Sequence, residues 1–189
     1  MTSPALRRIK PQRAAKTITR RPPAELAFVT GPALAGAELL LDSCVYIDVL
    51  QGRSPEAVDE LIRTRIVNHS TICLAELTHL FGRLDPSHAG TKAVLGEIGR
   101  VIANIPDHRL TAPSTAAMGE AGMLTGLMSR LSGGVRGDGP ARLNDASIYL
   151  QALERGWTVL TRNVGDFDLL DQLLPAGRVL FYERSEASR

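Results

Sequence analysis

The fold is most constrained by the way short apolar runs alternate with helical stretches between Leu39 and Tyr182. The runs at 39–41, 157–161 and 178–182 are short and largely apolar, which is typical of strands that are buried on both faces of a sheet. Apolar residues at helical spacing lie between them, as at 89–103. This order predicts an α/β fold of three layers, in which helices cover both faces of a central, mostly parallel sheet of four to five strands.

Local patterns predict where the connecting elements begin. A second strand is expected at 69–73, with a helix directly after it. A glycine-rich loop at 132–140 is expected to precede a helix that opens at 144–145. A loop at 162–166 is expected to lead into a short helix at 167–173.

Charge divides the chain into two parts. The net charge is +2 over 189 residues, but residues 1–40 hold seven Lys and Arg against two acids, which is +5 and leaves −3 for the rest. Five prolines and poor aliphatic periodicity predict a mostly disordered basic arm over 1–36, with a short ordered piece around 24–29. The arm is interpreted as an electrostatic contact for RNA phosphates, as a solvated tail, or as the product of a start codon placed too far upstream. A folded domain is expected over 37–185.

Composition excludes several classes of protein. Aromatic residues make up 4% of the chain, too few for a sheet that stacks many bases. Cys44 and Cys73 lie in apolar runs and are interpreted as buried thiols of a reducing compartment. No apolar run reaches the ~20 residues of a membrane helix, and no apolar segment follows the N-terminal charges as in a signal peptide. A cytoplasmic protein is expected.

Four acidic residues are predicted to meet at one edge of the sheet. Asp42, Glu76 and Asp166 fall at or just beyond the ends of predicted strands, and Asp145 opens a helix that leads into a strand. Strand ends and helix starts share an edge of a parallel sheet, where such folds bind ligands. Converging carboxylates repel one another unless they bind protons or a cation, and oxygen ligands favour Mg²⁺ or Mn²⁺. Because these ions activate water for attack on a phosphate, the pattern predicts a nuclease.

Each acid also has a purely structural interpretation. Asp145 fits a helix N-cap, Asp166 fits a turn or cap, and Glu76 fits a favourable place near a helix N-terminus. Asp42 is the hardest to explain in this way, because it directly follows three leucines and a buried charge needs a partner. The neighbouring acids Asp48 and Asp168 are not assigned to the site.

Three stretches resemble the PIN-domain family and, within it, the VapC-type toxins of bacterial toxin–antitoxin pairs. They are LLLDSCVYIDVL at 39–50, STICLAELTHLFG at 70–82 and, most specifically, NDASIYLQALERGWTVLTRNVGDF at 144–167. The resemblance covers roughly 39–182 and leaves out the arm, which is longer than usual for VapC-like chains.

The resemblance assigns roles to individual positions. Asp42, Glu76 and Asp145 would be the core metal ligands, and Asp166 would assist directly or through a water. Ser43, Thr161 and Asn163 fall on polar positions of the family's active-site edge and are expected to contact substrate. For Arg162, which lies next to the site, a phosphate clamp and a surface charge are equally good interpretations.

The family implies an Mg²⁺- or Mn²⁺-dependent endoribonuclease that is the toxin of a toxin–antitoxin pair. It also implies a homodimer and an antitoxin whose tail blocks the acidic site. One alternative is a non-catalytic RNA-binding or repressor-complex module on the same fold, which would need no metal. Another is a receiver-like phosphoacceptor, but that would need a late lysine, and the lysines here are Lys10, Lys16 and Lys92.

Overall fold

The central element of the structure, a computed structural model that describes residues 9, 16–31, 36–132 and 139–185, is a five-stranded parallel sheet. Its strand order is β3-β2-β1-β4-β5. The predicted α/β fold with a parallel sheet of four to five strands is confirmed. The strands are β1 (Leu39–Leu41), β2 (Val67–Ser70), β3 (Leu110–Thr111), β4 (Thr158–Thr161) and β5 (Val179–Phe181).

Seven α-helices flank the sheet in the described part of the chain. The first, third and fourth contact one another, and so do the last three, so the helices form two packed groups around the sheet. None of the described helices is both long and apolar enough to cross a membrane. The helices are α1 (Ser43–Leu50), α2 (Glu56–Thr64), α3 (Thr71–Arg83), α4 (Thr91–Ala103), α5 (Thr115–Leu131), α6 (Gly139–Arg155) and α7 (Val164–Leu173).

The register of the central strands fixes the edge where the acids lie. Leu41 of β1 pairs with Leu160 of β4, so the next residues, Asp42 and Thr161, emerge side by side at the carboxyl ends. The three leucines of β1 are buried, and the Asp42 N–H continues the ladder by donating to the Leu160 carbonyl at 3.1 Å. Packing on both faces of β1 therefore leaves Asp42 little freedom.

The boundary between β2 and α3 corrects a prediction. Residues 71–73, expected in a strand, form the first turn of α3. The Ser70 hydroxyl caps this helix by accepting a hydrogen bond from the Ile72 N–H at 3.2 Å. A side-chain cap at the last residue of the strand therefore ends it earlier than its β-branched composition predicts.

The starts of the last two helices differ from the prediction as well. Helix α6 begins at Gly139 and not at 144–145, since Gly139 and Pro140 fit a first helical turn and Ala, Arg and Leu follow. The predicted loop at 132–140 lies for the most part outside the described residues. Helix α7 begins at Val164 and not at 167, because the Asn163 side chain caps it.

Residues 16–31, part of the predicted disordered arm, pack against the domain. Phe28 bridges to Phe181, the Val29 N–H donates to the Phe181 carbonyl at 2.7 Å, and the Phe181 N–H donates to the Ala27 carbonyl at 2.8 Å. This segment satisfies backbone groups that the edge of β5 would otherwise expose. The basic residues Arg7, Arg8, Lys10 and Arg13 lie outside the described residues.

Candidate active site

All four predicted acids line one cavity of about 520 Å³ at the carboxyl ends of β1 and β4. Ser43, Arg162 and Asn163, predicted to contact substrate, line the same cavity. Thr161 is fully buried beside it and reaches it through its hydrogen bond to Asp42. The structure thus brings every predicted site residue to one place, although their assigned roles stay predictions.

Asp42 is buried, with 3% of its surface exposed, and its partners are neutral hydrogen-bond donors. The Ser43 N–H donates to Oδ1 at 2.7 Å, and the Thr161 hydroxyl donates to Oδ2 at 2.6 Å. The Cys44 thiol also donates to Oδ2, at 3.0 Å. Among the described residues, no basic side chain forms an ion pair with Asp42. A buried carboxylate in this setting favours a cationic ligand.

Glu76 lies in the second turn of α3 and faces Asp42. The Asn144 amide donates to its Oε1 at 2.7 Å, which fixes the carboxylate from α6. One oxygen each of Asp42 and Glu76 and the sulfur of Cys73 lie within 4.8 Å of one another. Burial and then the nearby Asp42 raise the pKa of the Cys73 thiol well above its usual range, so this sulfur stays protonated. Of the three groups, the two carboxylates are therefore the ones suited to a hard cation.

Asp145 lies inside α6, so the helix N-cap interpretation is wrong for it. The Asn163 amide donates to its Oδ2 at 2.9 Å. Burial, then the charges of Asp42, Asp166 and Glu76, raise the pKa of Asp145 to about 9. Without a cation, a proton on Asp145 relieves the repulsion among the four acids at neutral pH.

Asp166 lies in the first turn of α7, at the rim of the cavity. Its N–H donates to the Asn163 Oδ1 at 3.2 Å, so Asn163, not Asp166, is the helix cap. The Arg142 Nε donates to the Asp166 Oδ1 at 3.2 Å. Asp166 differs from the other three acids because an arginine already offsets its charge. This agrees with the expectation that Asp166 assists the other three acids and is not itself a core ligand.

Thr161 and Asn163 organise the carboxylates. The Thr161 hydroxyl donates to Asp42 and accepts from the Asn163 N–H at 2.9 Å. The Asn163 amide reaches Asp145 at 2.9 Å and Asp166 at 3.5 Å. The last residue of β4 and the loop after it therefore link three of the four acids and set their orientation.

Arg162 is engaged in an ion pair away from the four acids. Its Nε lies 2.8 Å from the Asp48 Oδ2. Asp48 is 0% exposed and also accepts hydrogen bonds from the Arg184 Nε at 2.7 Å and from the Tyr182 hydroxyl at 2.8 Å. Arg162 is thus not a free surface charge, although it lines the cavity. The burial of Asp48 had a signal in the sequence, since apolar residues surround it throughout α1.

Sequence reasoning missed three further residues at the site. Arg20 lines the cavity, Arg142 contacts Asp166, and Asn144 contacts Glu76. Arg142 lies before the predicted start of α6, and no local pattern around Asn144 points to Glu76, which is 68 positions away. Arg20 belonged to the basic cluster of the arm, and nothing local showed that the arm folds back to the sheet.

Comparison with known proteins identifies the fold. No protein-family model and no curated protein sequence matches the chain. The solved structures that resemble it include VapBC2 from Rickettsia felis bound to a DNA fragment from their promoter, with 16% identity, a TM-score of 0.53 and coverage of 77% of this chain and 98% of that one. DNA-bound VapBC from Salmonella typhimurium has 22% identity and a TM-score of 0.53, with coverage of 76% of this chain and 97% of that one. FitAcB from Neisseria gonorrhoeae has 22% identity and a TM-score of 0.53, with coverage of 76% of this chain and 96% of that one. The predicted PIN-like fold, of the kind found in VapC proteins, is confirmed.

Proposed function

We propose that the protein is a divalent-metal-dependent endoribonuclease and the toxin of a toxin–antitoxin pair, acting in the cytoplasm. The observation that carries the proposal is the convergence of Asp42, Glu76, Asp145 and Asp166 in one cavity of a PIN-like fold. Four acids from four different elements meet there, and purely structural interpretations of each acid do not explain their meeting.

The residues present fit Mg²⁺ or Mn²⁺. Asp42, Glu76 and Asp145 would hold the ion, with Asp166 assisting. Carboxylate oxygens suit hard cations, and the one soft donor in the cluster, Cys73, remains a thiol. When bound, such an ion supplies an activated water and stabilises the negative charge that develops on a phosphodiester.

The chain's own residues prepare the carboxylates for this chemistry. Hydrogen bonds from Thr161 and the Ser43 N–H hold Asp42 in one orientation. Asn144 does the same for Glu76, and Asn163 does it for Asp145. Preorganised ligands do not have to be reoriented when substrate binds, which lowers the free energy of reaching the transition state.

Cleavage of labelled RNA tests the proposal. Purified protein is incubated with tRNA and mRNA fragments in Mg²⁺, in Mn²⁺ and in EDTA. The expected result is cutting that requires the metal and returns when Mg²⁺ is added back after EDTA. Metal-independent binding without cutting, by folded protein free of partners and across a broad set of RNAs, would instead support the non-catalytic RNA-binding module.

The partner is the second part of the proposal. The similar structures are VapBC and FitAB complexes, so we propose that an antitoxin binds this chain and that the chain forms a homodimer. An apolar groove of about 430 Å³ between α1, α3 and α4 fits an apolar segment of the antitoxin. Val94 on its wall is 48% exposed. The groove is lined by six apolar residues and two polar ones: Ile47, Leu50, Leu80, Leu84, Val94 and Ile98, with Gln51 and Glu97.

Co-purification with the product of a small reading frame next to the gene tests the groove. Val94→Asp is expected to abolish co-purification, because a charge in the groove opposes burial of an apolar segment. Val49→Asp is the matched control, since Val49 is 44% exposed and lies outside the groove. Equal loss with both variants would contradict this assignment.

A further inference from the structure

Part of the N-terminal arm lies along the rim of the acidic cavity. Arg20 lines this cavity and also an adjoining one of about 450 Å³, and the two share Gly165 and Asp166 as well. The adjoining cavity extends from the acids between the arm and α7, where Ile18 and Leu169 form its apolar part. Arg20 thus lies where the two cavities meet.

The residues on either side of Arg20 are fixed to α7. The Arg21 backbone N–H donates to the Asp168 Oδ2 at 2.8 Å, and its Nε lies 2.6 Å from the Asp168 Oδ1. Asp168 is 0% exposed, and Asp171 adds a second ion pair to Arg21 at 2.6 Å. On the other side, the Gln172 amide donates to the Thr19 carbonyl at 2.9 Å. The backbone that carries Arg20 is therefore held in place by partly buried contacts.

The Arg20 guanidinium itself has no ion-pair partner in the described part of the chain. Arg142 and Arg162, which also line the acidic cavity or its neighbour, are both bound to carboxylates. Arg20 is exposed, and no described carboxylate oxygen lies within 4.0 Å of it, not even that of Asp166. It forms no ion pair with the described acids of the site, so its N–H donors remain available for an anion.

Gly165 makes room for this arginine. It lies in the first turn of α7 with helical backbone geometry, so its φ does not require glycine. A Cβ at this position would lie 2.6 Å from the Arg20 Nη2. The guanidinium therefore lies against the first turn of α7, which also carries Asp166.

We propose that Arg20 binds a backbone phosphate of the substrate RNA next to the phosphate that the carboxylates act on. The inference rests on the proposed ribonuclease function and names a substrate contact for it. A guanidinium can bind a phosphate through two parallel hydrogen bonds, and the adjoining cavity gives the strand a path away from the acids. Part of the arm is then a piece of the substrate site that the resemblance to PIN domains did not include.

Two readouts test this assignment. The first is binding of a labelled single-stranded RNA in Mg²⁺ at several salt concentrations, in an Asp42→Asn background that blocks cutting. Arg20→Ala is expected to weaken binding about tenfold, the cost of one charge-assisted contact. The slope of log Kd against log salt should fall by about 0.7, the value for one phosphate on a single strand. The second readout is cleavage by the otherwise native chain, where Arg20→Ala should raise KM more than it lowers kcat.

Conservative variants separate charge, geometry and folding. Arg20→Lys keeps the charge but loses the two parallel N–H donors of the guanidinium. It should therefore recover the salt slope and only part of the affinity. Gly165→Ala displaces the guanidinium without removing it and should raise KM in the same direction by a smaller factor. Arg100→Ala is the matched control, because Arg100 is an exposed arginine of α4 paired only with the nearby Glu97.

The outcomes separate this inference from the proposed function. RNA binding that depends on Arg20 in a chain that never cuts would remove the nuclease function and keep the phosphate contact. Metal-dependent cutting with the same KM, affinity and salt slope in Arg20→Ala would keep the function and overturn the inference. Faster cutting by Arg20→Ala would also overturn it, since that would make Arg20 an inhibitor of the site.

Discussion

Helix α1 has one buried aspartate at its N-cap and another in its last turn, and their surroundings are opposite in kind. Asp42 at the N-cap is 3% exposed and receives hydrogen bonds from neutral groups. Asp48 is 0% exposed and is bound by Arg162, Arg184 and the Tyr182 hydroxyl. A buried charge is tolerated when it is paired and costly when it is not. Asp48 therefore holds parts of the fold together, whereas Asp42 keeps its charge available for a ligand.

The largest expected effect comes from removing the unpaired charge. Asp42→Asn should lower the cleavage rate by about a thousandfold, equivalent to about 4 kcal/mol of barrier, because a proposed metal ligand is lost. Its thermal stability in EDTA should equal or exceed that of the native chain, since one of the repelling charges is gone. Cleavage assays and thermal unfolding check both halves. A large loss of stability would show that Asp42 is structural.

The paired aspartate should respond in the opposite way. Asp48→Asn is expected to cost about 2–3 kcal/mol of unfolding free energy, because two ion pairs and a buried hydrogen bond are weakened. For a chain of this size that lowers Tm by roughly 5–10 °C. Below the unfolding temperature, cleavage should persist. Loss of cleavage with an unchanged Tm would contradict the contrast between the two residues.

Thr161 tests whether the orientation of Asp42 matters in addition to its charge. Thr161→Val keeps the shape of the side chain but removes the 2.6 Å hydrogen bond to Asp42. Groups that orient metal ligands typically contribute 10–100-fold, so metal affinity and cleavage should fall by about that factor. The measurement is the Mg²⁺ concentration for half-maximal cleavage, and Thr161→Ser, which keeps the hydroxyl, is the control. Equal behaviour of the two variants would remove the positioning role.

A pH dependence of stability is expected in the metal-free protein. The pKa of Asp145 is raised from 3.8 to about 9, so the folded state holds a proton that the unfolded state releases. This contribution to stability is fully present below pH about 4 and is lost as the pH rises toward about 9. In EDTA, Tm should fall steadily as the pH rises from about 5 to 8. Asp145→Asn should flatten that slope, and an unchanged slope would show that other groups cause it.

The sequence predicts those parts of the molecule that local pattern determines. Three leucines before Asp42 predict a buried strand with an acid at its carboxyl end, and the structure has both. The apolar run of β4 likewise predicts that Asp166, shortly after it, lies at the same edge as Asp42, and the two line one cavity. In both cases a short apolar run and the residue that follows it carry the information.

The remaining features depend on contacts between distant parts of the chain. Arg184 and Asp48 are 136 positions apart, and Arg21 and Asp168 are 147 apart, so no local pattern reveals either pair. The sequence predicts the correct sheet edge for Asp145 but puts it at the start of a helix, whereas it lies inside α6. The true start of α6 depends on residues that resemble a loop. Arg20 reaches the cavity only because the arm folds back on α7.

Mn²⁺ binding tests the contrast between Asp42 and Asp48 most directly. Mn²⁺ is titrated into the native chain, Asp42→Asn and Asp48→Asn, and the free ion is followed by electron paramagnetic resonance with Mg²⁺ as competitor. The account predicts comparable Mn²⁺ affinity for the native chain and Asp48→Asn, and an affinity at least about tenfold weaker for Asp42→Asn. Equal Mn²⁺ binding by native and Asp42→Asn chains, or none by the native chain at millimolar Mn²⁺, would contradict it.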